Sequence, residues 1–266
     1  MSPKVKFLNM DVRSPNMASA MAGHEIVVHL ASVVLWPAKM PAKVRDDIDF
    51  NGTRNVAHAA VKNRVRCFIH ASSVAAYDPE VAPGKSNVTE DFPIGKGVSP
   101  MYYWNSKAIT EKILAEVLGP SGITLTVFRP TYITGSRDRA TVRGFRENTV
   151  TFPGHDPRVQ FVHEADVAAA FAQAMSVEMP GAYNVVPDGF LRLSEVSRAI
   201  GVKSTLTVPV WLARLVTYIR WRYFGAPMHP SWVETALIDF TASNAKLRAT
   251  GWIPHYDSAG AIRMAP

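Results

Sequence analysis

Tyr103-Trp104-Asn105-Ser106-Lys107 places a tyrosine and a lysine four residues apart in a segment predicted to be helical. Residues at this spacing share one face of a helix, one turn from each other. Because a nearby ammonium favours the phenolate, we expect Lys107 to lower the pKa of Tyr103 from about 10 toward neutrality. Such a tyrosine can give or take the proton of a substrate hydroxyl group.

A pair of serines is predicted to reach the same place in the fold. Ser72-Ser73 follows one apolar strand, and His29-Leu30-Ala31 ends another. Ligands of parallel α/β sheets bind outside the carboxyl ends of the strands. We therefore expect the serines and the tyrosine helix to meet at one edge of a sheet.

The wider sequence alternates short apolar runs with helical stretches, which is typical of a parallel α/β sheet. The predicted strands are Val5–Leu8, Glu25–Leu30, Val65–His70, Ile123–Phe128, Gln160–His163 and Tyr183–Val186, and the predicted helices are Lys43–Lys62, Pro100–Leu118 and Glu164–Met175. The domain prediction is a Rossmann-like unit over 1–135, completed by about 158–186, with an interleaved C-terminal substrate lobe over 136–157 and 187–266.

Composition limits the classes of protein that fit this chain. At 266 residues and 47 % hydrophobic, it can bury a full core. The single cysteine, Cys67, excludes an intrachain disulfide and fits a reducing, cytoplasmic compartment. No apolar run near Met1 has the length of a signal peptide. No metal site is predicted.

The net charge of +7 comes from scattered basic residues without a recognition motif, so nucleic acid is not predicted as a partner. The local cluster Arg137, Arg139, Arg143 and Arg146 fits either substrate phosphates or a solvated loop. The most membrane-like stretch runs from Leu206 to Phe224, and arginines interrupt it. It fits a buried lobe helix better than an interfacial helix, and it is too interrupted for a transmembrane segment.

An ordered series of motifs makes the chain resemble the extended short-chain dehydrogenase/reductase family, also called the NAD-dependent epimerase/dehydratase family. The series is Asp11-Val12, His29-Leu30-Ala31, Gly52-Thr53-Arg54-Asn55-Val56, Ser72-Ser73 through Tyr77, Tyr103 with Lys107, Arg129-Pro130 through Gly135, Phe161-Val162-His163 with Asp166, Tyr183-Asn184-Val185 and Gly251-Trp252-Ile253-Pro254. The resemblance spans about Val5 to Pro254.

The resemblance implies roles for the central residues. Tyr103 is similar to the family's proton donor or acceptor, and Lys107 to the partner that also bonds the nicotinamide ribose. Ser73 matches the serine that hydrogen-bonds the reacting oxygen, with Ser72 as the alternative. The positions that match contacts to NAD or NADP are Asp11, Val12, Leu30, Ala31, Ser32, Asp49, Tyr103, Lys107 and Pro130. His29, His163 and Asp166 are interpreted as structural.

Three departures from the family pattern bear on function. The glycine-rich turn that receives the cofactor pyrophosphate at a helix N-terminus is absent, so the first β-α-β unit is predicted to be missing. A truncated reading of a longer enzyme and a natural short form both explain this. Tyr132 stands where nucleotide-sugar enzymes commonly carry Asn, and Asp49 where Asn is usual.

The predicted function is an NAD(P)-dependent oxidoreductase that moves a hydride between nicotinamide and a secondary alcohol or ketone. The alternatives are a nucleotide-sugar epimerase or dehydratase, and a truncated or non-catalytic member that binds no cofactor. The aromatic residues of the C-terminal lobe fit an apolar pocket or simple packing, and they are Trp211, Tyr218, Trp221, Tyr223, Phe224 and Trp232. The resemblance also implies a possible homodimer through the helices Lys43–Lys62 and Pro100–Leu118.

Overall fold

Four parallel strands form the central sheet of the computed structural model, which describes residues 5–136, 150–202 and 205–264. The described strands are β1 (Ile26–His29), β2 (Cys67–Ala71), β3 (Thr124–Pro130), β4 (Tyr132–Thr134), β5 (Val150–Thr151), β6 (Arg158–Val159), β7 (Phe161–His163), β8 (Gly181–Val185), β9 (Leu191–Arg192) and β10 (Leu206–Thr207). β1, β2, β3 and β8 lie side by side in that order, and each neighbouring pair is parallel. The predicted α/β, Rossmann-like sheet is confirmed.

Helices cover both faces of this sheet. The described helices are α1 (Met17–Ala20), α2 (Ala42–Asp46), α3 (Gly52–Asn63), α4 (Tyr102–Leu118), α5 (Glu164–Ser176), α6 (Leu193–Ala199), α7 (Val210–Phe224), α8 (Trp232–Thr235), α9 (Ala245–Arg248) and α10 (Ser258–Arg263). A π-helical turn, Asp47–Asn51, joins α2 to α3. Among the described helices, none has both the length and the apolarity needed to cross a bilayer.

The alternation of side chains along β2 explains the two cores. Phe68 faces α3 and α4, where it packs with Val56 and Leu114. Cys67 and Ile69 face the other way, into a core closed by residues of α5 and α9. Burying a side chain of the size of Phe or Ile contributes roughly 2 kcal/mol, so these layers fix where the ends of the strands lie.

Short pairs of strands build the C-terminal part of the chain. β4 pairs with β7 in parallel, β6 with β9 antiparallel, and β10 with β5 in parallel. A separate core joins these pieces through Phe161, Val196 and Ile262. The segments that build it are interleaved with those of the sheet, and the division into domains stays a prediction.

The predicted strand Val5–Leu8 is wrong. These residues make no ladder within the described structure, and Phe7 is 73 % exposed. β1 forms the edge of the four-stranded sheet, and nothing among the described strands pairs with its outer side. Because a strand is stable only when neighbouring strands satisfy its backbone groups, an apolar run without such a neighbour remains irregular.

Candidate active site

Tyr103 and Lys107 lie in the first turns of α4, above the carboxyl ends of the strands. The Lys107 Nζ lies 5.6 Å from the centroid of the Tyr103 ring, as the four-residue spacing predicts. Nζ also donates to the Ala71 carbonyl oxygen at 2.9 Å. Since Ala71 ends β2, this bond fixes the lysine at the edge of the sheet.

Ser73 follows β2 directly and reaches the same place. Its Oγ accepts from the Ala75 N–H at 3.2 Å and donates to the Pro130 carbonyl oxygen at 3.3 Å. Its side chain lies near enough to the Tyr103 hydroxyl to lower the pKa of that group. Two hydroxyl groups from successive elements therefore meet beside the end of β3.

The expected lowering of the Tyr103 pKa is wrong for this state of the protein. Burial raises the pKa of Tyr103 to about 12, and the nearby Ser73 side chain offsets only part of that effect. Burial likewise lowers the pKa of Lys107 to about 8, against the pull of Asp49 and Glu111. Desolvation disfavours the phenolate more than the Ser73 side chain favours it. Tyr103 therefore keeps its proton at neutral pH.

Ser72, the alternative catalytic serine, belongs to a buried ionic network. Its Oγ donates to Oε1 of Glu111. The Arg129 guanidinium donates to the same carboxylate from Nε at 3.0 Å and from Nη2 at 2.7 Å. Both charged side chains are almost fully buried. This geometry assigns Ser72 to support behind the site and leaves Ser73 facing Tyr103.

Asp49 holds two segments together and is buried. Its Oδ1 accepts from the Val33 N–H at 2.8 Å, and its Oδ2 accepts from the Ser106 hydroxyl at 2.6 Å. Both carboxylate oxygens thus have protein partners. The residue fixes the loop after β1 against α4, and its predicted contact with the cofactor stays a prediction.

The other predicted contact residues lie along the outer edge of the sheet. Leu30, Ala31 and Ser32 follow β1 directly, and Leu30 is exposed. Asp11 forms a bidentate ion pair with Arg13, whose Nη1 also donates to Asp47 at 2.9 Å. Hydrogen bonds from Arg13 lower the pKa of Asp11 to about 2.

Val12 is fixed against the start of α3. The Asn55 side chain donates to the Val12 carbonyl oxygen at 2.8 Å and to the Ser14 carbonyl oxygen at 2.9 Å. A Cβ atom on Gly52 would lie 2.5 Å from Cγ2 of Val12, so this close approach requires glycine. The motif around Gly52 therefore holds the Asp11-Val12 segment against α3.

His29, His163 and Asp166, which are interpreted as structural from the sequence, all contact other groups of the protein. His29 Nε2 lies 3.1 Å from the Thr53 Oγ1, and the ring stacks on His70 at 5.4 Å. Burial lowers the pKa of His29 to about 4, so the ring is neutral. His163 ends β7 and accepts from the Ala165 N–H at the start of α5. The Asp166 carboxylate accepts from His255, on the C-terminal segment.

Two aromatic residues complete the surroundings of Tyr103. The Trp232 ring stacks on it, with centroids 5.3 Å apart. Tyr132 lies near Tyr103, and burial raises the pKa of Tyr132 to about 12. The sequence did not single out Trp232 from the other lobe aromatics, nor Glu111, although Glu111 continues the four-residue spacing of Tyr103 and Lys107.

The remaining aromatic residues of the lobe divide into two groups. Trp221 is buried, and its Nε1 donates to the Trp36 carbonyl oxygen at 2.6 Å. The exposed members are Trp211, Tyr218, Tyr223 and Phe224. These four side chains are between 44 % and 78 % exposed. The arginine cluster Arg137 to Arg146 lies outside the described residues.

With this geometry in place, comparison with known proteins identifies the family. Residues 2–152 match the 3-beta hydroxysteroid dehydrogenase/isomerase family. The chain belongs to that family, and the resemblance to extended short-chain dehydrogenases is confirmed.

Individual relatives are more distant. The chain is 36 % identical over 136 residues to N-acetyl-alpha-D-glucosaminyl-diphospho-ditrans,octacis-undecaprenol 4-epimerase of Escherichia coli O157:H7, covering 50 % of this chain and 38 % of that protein. It is 25 % identical over 217 residues to uncharacterized protein Mb0513 of Mycobacterium bovis, covering 78 % and 55 %. The chain thus spans about half the length, or less, of these curated relatives.

Solved structures support the fold. The UDP-glucose 4-epimerase of Thermus thermophilus, in complex with NAD, superposes with a TM-score of 0.72 at 22 % identity. The match covers 100 % of this chain and 85 % of that one. At this identity the likeness concerns the fold, and it places the four-stranded sheet within a Rossmann-like architecture.

Proposed function

We propose that the protein is an NAD(P)-dependent oxidoreductase that interconverts a secondary alcohol and a ketone. The observation that carries the proposal is the meeting of the Ser73 and Tyr103 hydroxyls beside Lys107 at the carboxyl edge of a parallel sheet. The parallel sheet supports this proposal, because ligands of such sheets bind at the carboxyl ends of the strands. Ser73, Tyr103 and Lys107 are the proposed catalytic residues.

Each of these residues has a distinct task. Tyr103, which holds its proton at neutral pH, donates it to the carbonyl oxygen of a ketone. Ser73 hydrogen-bonds the same oxygen and orients it toward Tyr103. Lys107 orients the ribose of the cofactor. Its ammonium group also stabilises the negative charge that develops on Tyr103 as the proton leaves. A bound nicotinamide would supply the hydride that the carbonyl carbon receives.

The residues present fit one end of that cofactor. Lys107, Tyr103 and the carbonyl end of Pro130 surround the position proposed for the nicotinamide and its ribose. Leu30 and Ala31 are exposed along the same edge, and Ser32 is half-buried. Asp11-Val12 matches the positions that contact the adenine end of the cofactor in the family.

A second candidate is the epimerisation or dehydration of a nucleotide sugar or a lipid-linked sugar. The name of the Escherichia coli relative, a 4-epimerase of a diphospho-undecaprenol sugar, favours it. The same Tyr103, Lys107 and Ser73 would act on a sugar hydroxyl. Tyr132 weakens this candidate, because its phenol replaces the amide commonly found there in nucleotide-sugar enzymes.

The cellular location and the oligomeric state of the enzyme are also proposals. A cytoplasmic location fits the single cysteine, which is buried and free. A homodimer would use an open groove of about 400 Å³ between α2, α3 and α4. Phe50, Ile109 and Ile113 give this groove apolar walls.

A direct assay separates the candidates. The purified chain is incubated with NADPH or NADH and a 3-ketosteroid, and oxidation of the nicotinamide is followed by absorbance. In parallel, UDP-glucose is incubated with NAD and the sugar is analysed for its 4-epimer. Turnover of the ketosteroid that Tyr103→Phe abolishes supports the oxidoreductase. Epimer formation alone supports the second candidate, and no turnover of either kind by folded protein contradicts both.

A further inference from the structure

The helix α7 presents an apolar surface to solvent. Seven of its large apolar residues are between 39 % and 78 % exposed. They are Trp211, Leu215, Val216, Tyr218, Ile219, Tyr223 and Phe224. Single exposed apolar residues are normal on a protein surface, but this many on one helix form a continuous patch that marks an interaction site.

The orientation of α7 shows that this exposure belongs to one face. Ala213 and Trp221, eight residues apart, are buried against the rest of the protein. Trp211, Leu215, Ile219 and Tyr223 repeat every four residues on the other side and form an exposed stripe. The helix is thus held to the protein by one narrow face and turns its widest apolar face outward.

Charge distinguishes between possible partners for this face. The helix carries Arg214, Arg220 and Arg222 and contains no Asp or Glu. The carboxylate of Glu234, on α8, pairs with Arg214. Two copies meeting through this face by two-fold symmetry would bring arginines against arginines. An anionic surface would instead complement the helix.

The kinds of apolar residue point to a lipid surface. Trp211 lies at one end of the helix, and Tyr223 and Phe224 lie at the other. Aromatic residues of this kind favour the boundary between lipid headgroups and acyl chains, and arginines there extend their guanidinium groups toward the headgroups. A helix of 15 residues is only about 22 Å long and so cannot span the roughly 30 Å hydrocarbon core.

We propose that α7 is an interfacial helix that docks the protein on membranes rich in anionic phospholipid. It lies parallel to the bilayer plane, with the stripe from Trp211 to Tyr223 inserted among the headgroups and Arg222 bound to phosphate. This inference does not depend on the proposed enzymatic function, because it rests on the exposed face of α7 alone.

The test is vesicle flotation with the full chain. Vesicles of phosphatidylcholine alone are compared with vesicles of phosphatidylcholine and phosphatidylglycerol in equal parts. We expect the protein to float with the anionic vesicles and to be released as salt rises. The triple substitution Trp211→Ser, Tyr223→Ser and Phe224→Ser should reduce binding at least about tenfold, because it removes three of the inserting side chains.

A matched control uses exposed apolar residues away from the helix. Phe7→Ser, Val98→Ser and Ile253→Ser remove three such side chains and should leave flotation unchanged. Circular dichroism verifies that both triple variants fold. If the protein does not float with the anionic vesicles, the proposal is overturned. Equal loss of vesicle binding in both triple variants also overturns it. If the wild type fails to float and forms a dimer that the α7 variant dissociates, the face binds a second copy and the proposal is wrong.

Discussion

The indole of Trp232 stacks on the phenol ring of Tyr103, with ring centroids 5.3 Å apart and planes inclined by 29°. The contact joins the C-terminal lobe to the first turn of α4. It encloses the proposed proton donor, whose pKa is raised above all by burial. The lobe therefore influences the chemistry of the site through the solvation of Tyr103 as well as through the shape of the site.

Replacing Trp232 should make Tyr103 easier to ionise. In Trp232→Ala, water reaches the phenol and the pKa of Tyr103 should fall from about 12 toward 10. The ultraviolet absorbance of tyrosinate, followed against pH and compared with Trp232→Ala/Tyr103→Phe, isolates this group. Trp211→Ala removes an exposed indole of α7 and should leave the titration unchanged. An unchanged pKa in Trp232→Ala would show that the stacking does not control the solvation of Tyr103.

Lys107 should make stability depend on alkaline pH. Its pKa is about 8 in the folded protein and near 10.5 in an unfolded chain, so the unfolded chain binds more protons between these values. The stability of the wild type relative to Lys107→Met should therefore rise by about 3 kcal/mol from pH 8 to pH 10.5. Denaturant unfolding at a series of pH values measures it. Tyr103→Phe keeps the lysine and should retain the rise, whereas a flat difference would contradict the burial of Lys107.

The ion pair between Glu111 and Arg129 should be important for folding. Arg129→Met leaves the Glu111 carboxylate buried with only the Ser72 hydroxyl as its hydrogen-bonding side chain, and such uncompensated charges cost about 3–5 kcal/mol. Glu111→Gln/Arg129→Met removes both charges and should recover part of the loss. Urea unfolding of the two variants and the wild type measures these differences. If the double variant is the less stable, the carboxylate is not the source of the cost.

Gly52 should tolerate no side chain while Val12 is present. In Gly52→Ala, the new Cβ would meet Cγ2 of Val12 at 2.5 Å and displace the segment that carries Asp11. We expect a loss of about 1–3 kcal/mol, despite the higher helix propensity of alanine. Val12→Ala/Gly52→Ala makes room and should restore part of the stability. Thermal unfolding is the measurement, and full stability of the single variant would show that the N-terminal segment does not pack there.

Sequence reasoning predicted most of the fold because the elements carry local signals. The strand that became β2 is centred on the apolar run Cys67-Phe68-Ile69, and α4 shows its helical spacing in Tyr103 and Lys107. The failure at Val5–Leu8 has a different cause. An apolar run indicates a strand only if another strand lies beside it, and pairing is a property of the whole sheet that local pattern does not contain.

For the candidate site, too, the sequence predicted some features and not others. The meeting of Ser73 and Tyr103 followed from the rule that ligands bind at the carboxyl edge of a parallel sheet. The pKa of Tyr103 did not follow, because the depth of burial depends on Trp232, a residue 129 positions further along the chain. The roles of Glu111 and Asp49 likewise depend on distant partners, Arg129 and Val33, that become neighbours only in the folded protein.

The central claim is that Lys107, Tyr103 and Ser73 form the nicotinamide end of a cofactor site. Titration of NADH and NADPH into the purified 266-residue chain, followed by nicotinamide fluorescence, tests it most directly. We expect saturable binding that Lys107→Ala abolishes and that the matched variant Lys112→Ala, on the same helix, retains. Absence of binding by folded wild-type protein, or equal binding by Lys107→Ala, would contradict it.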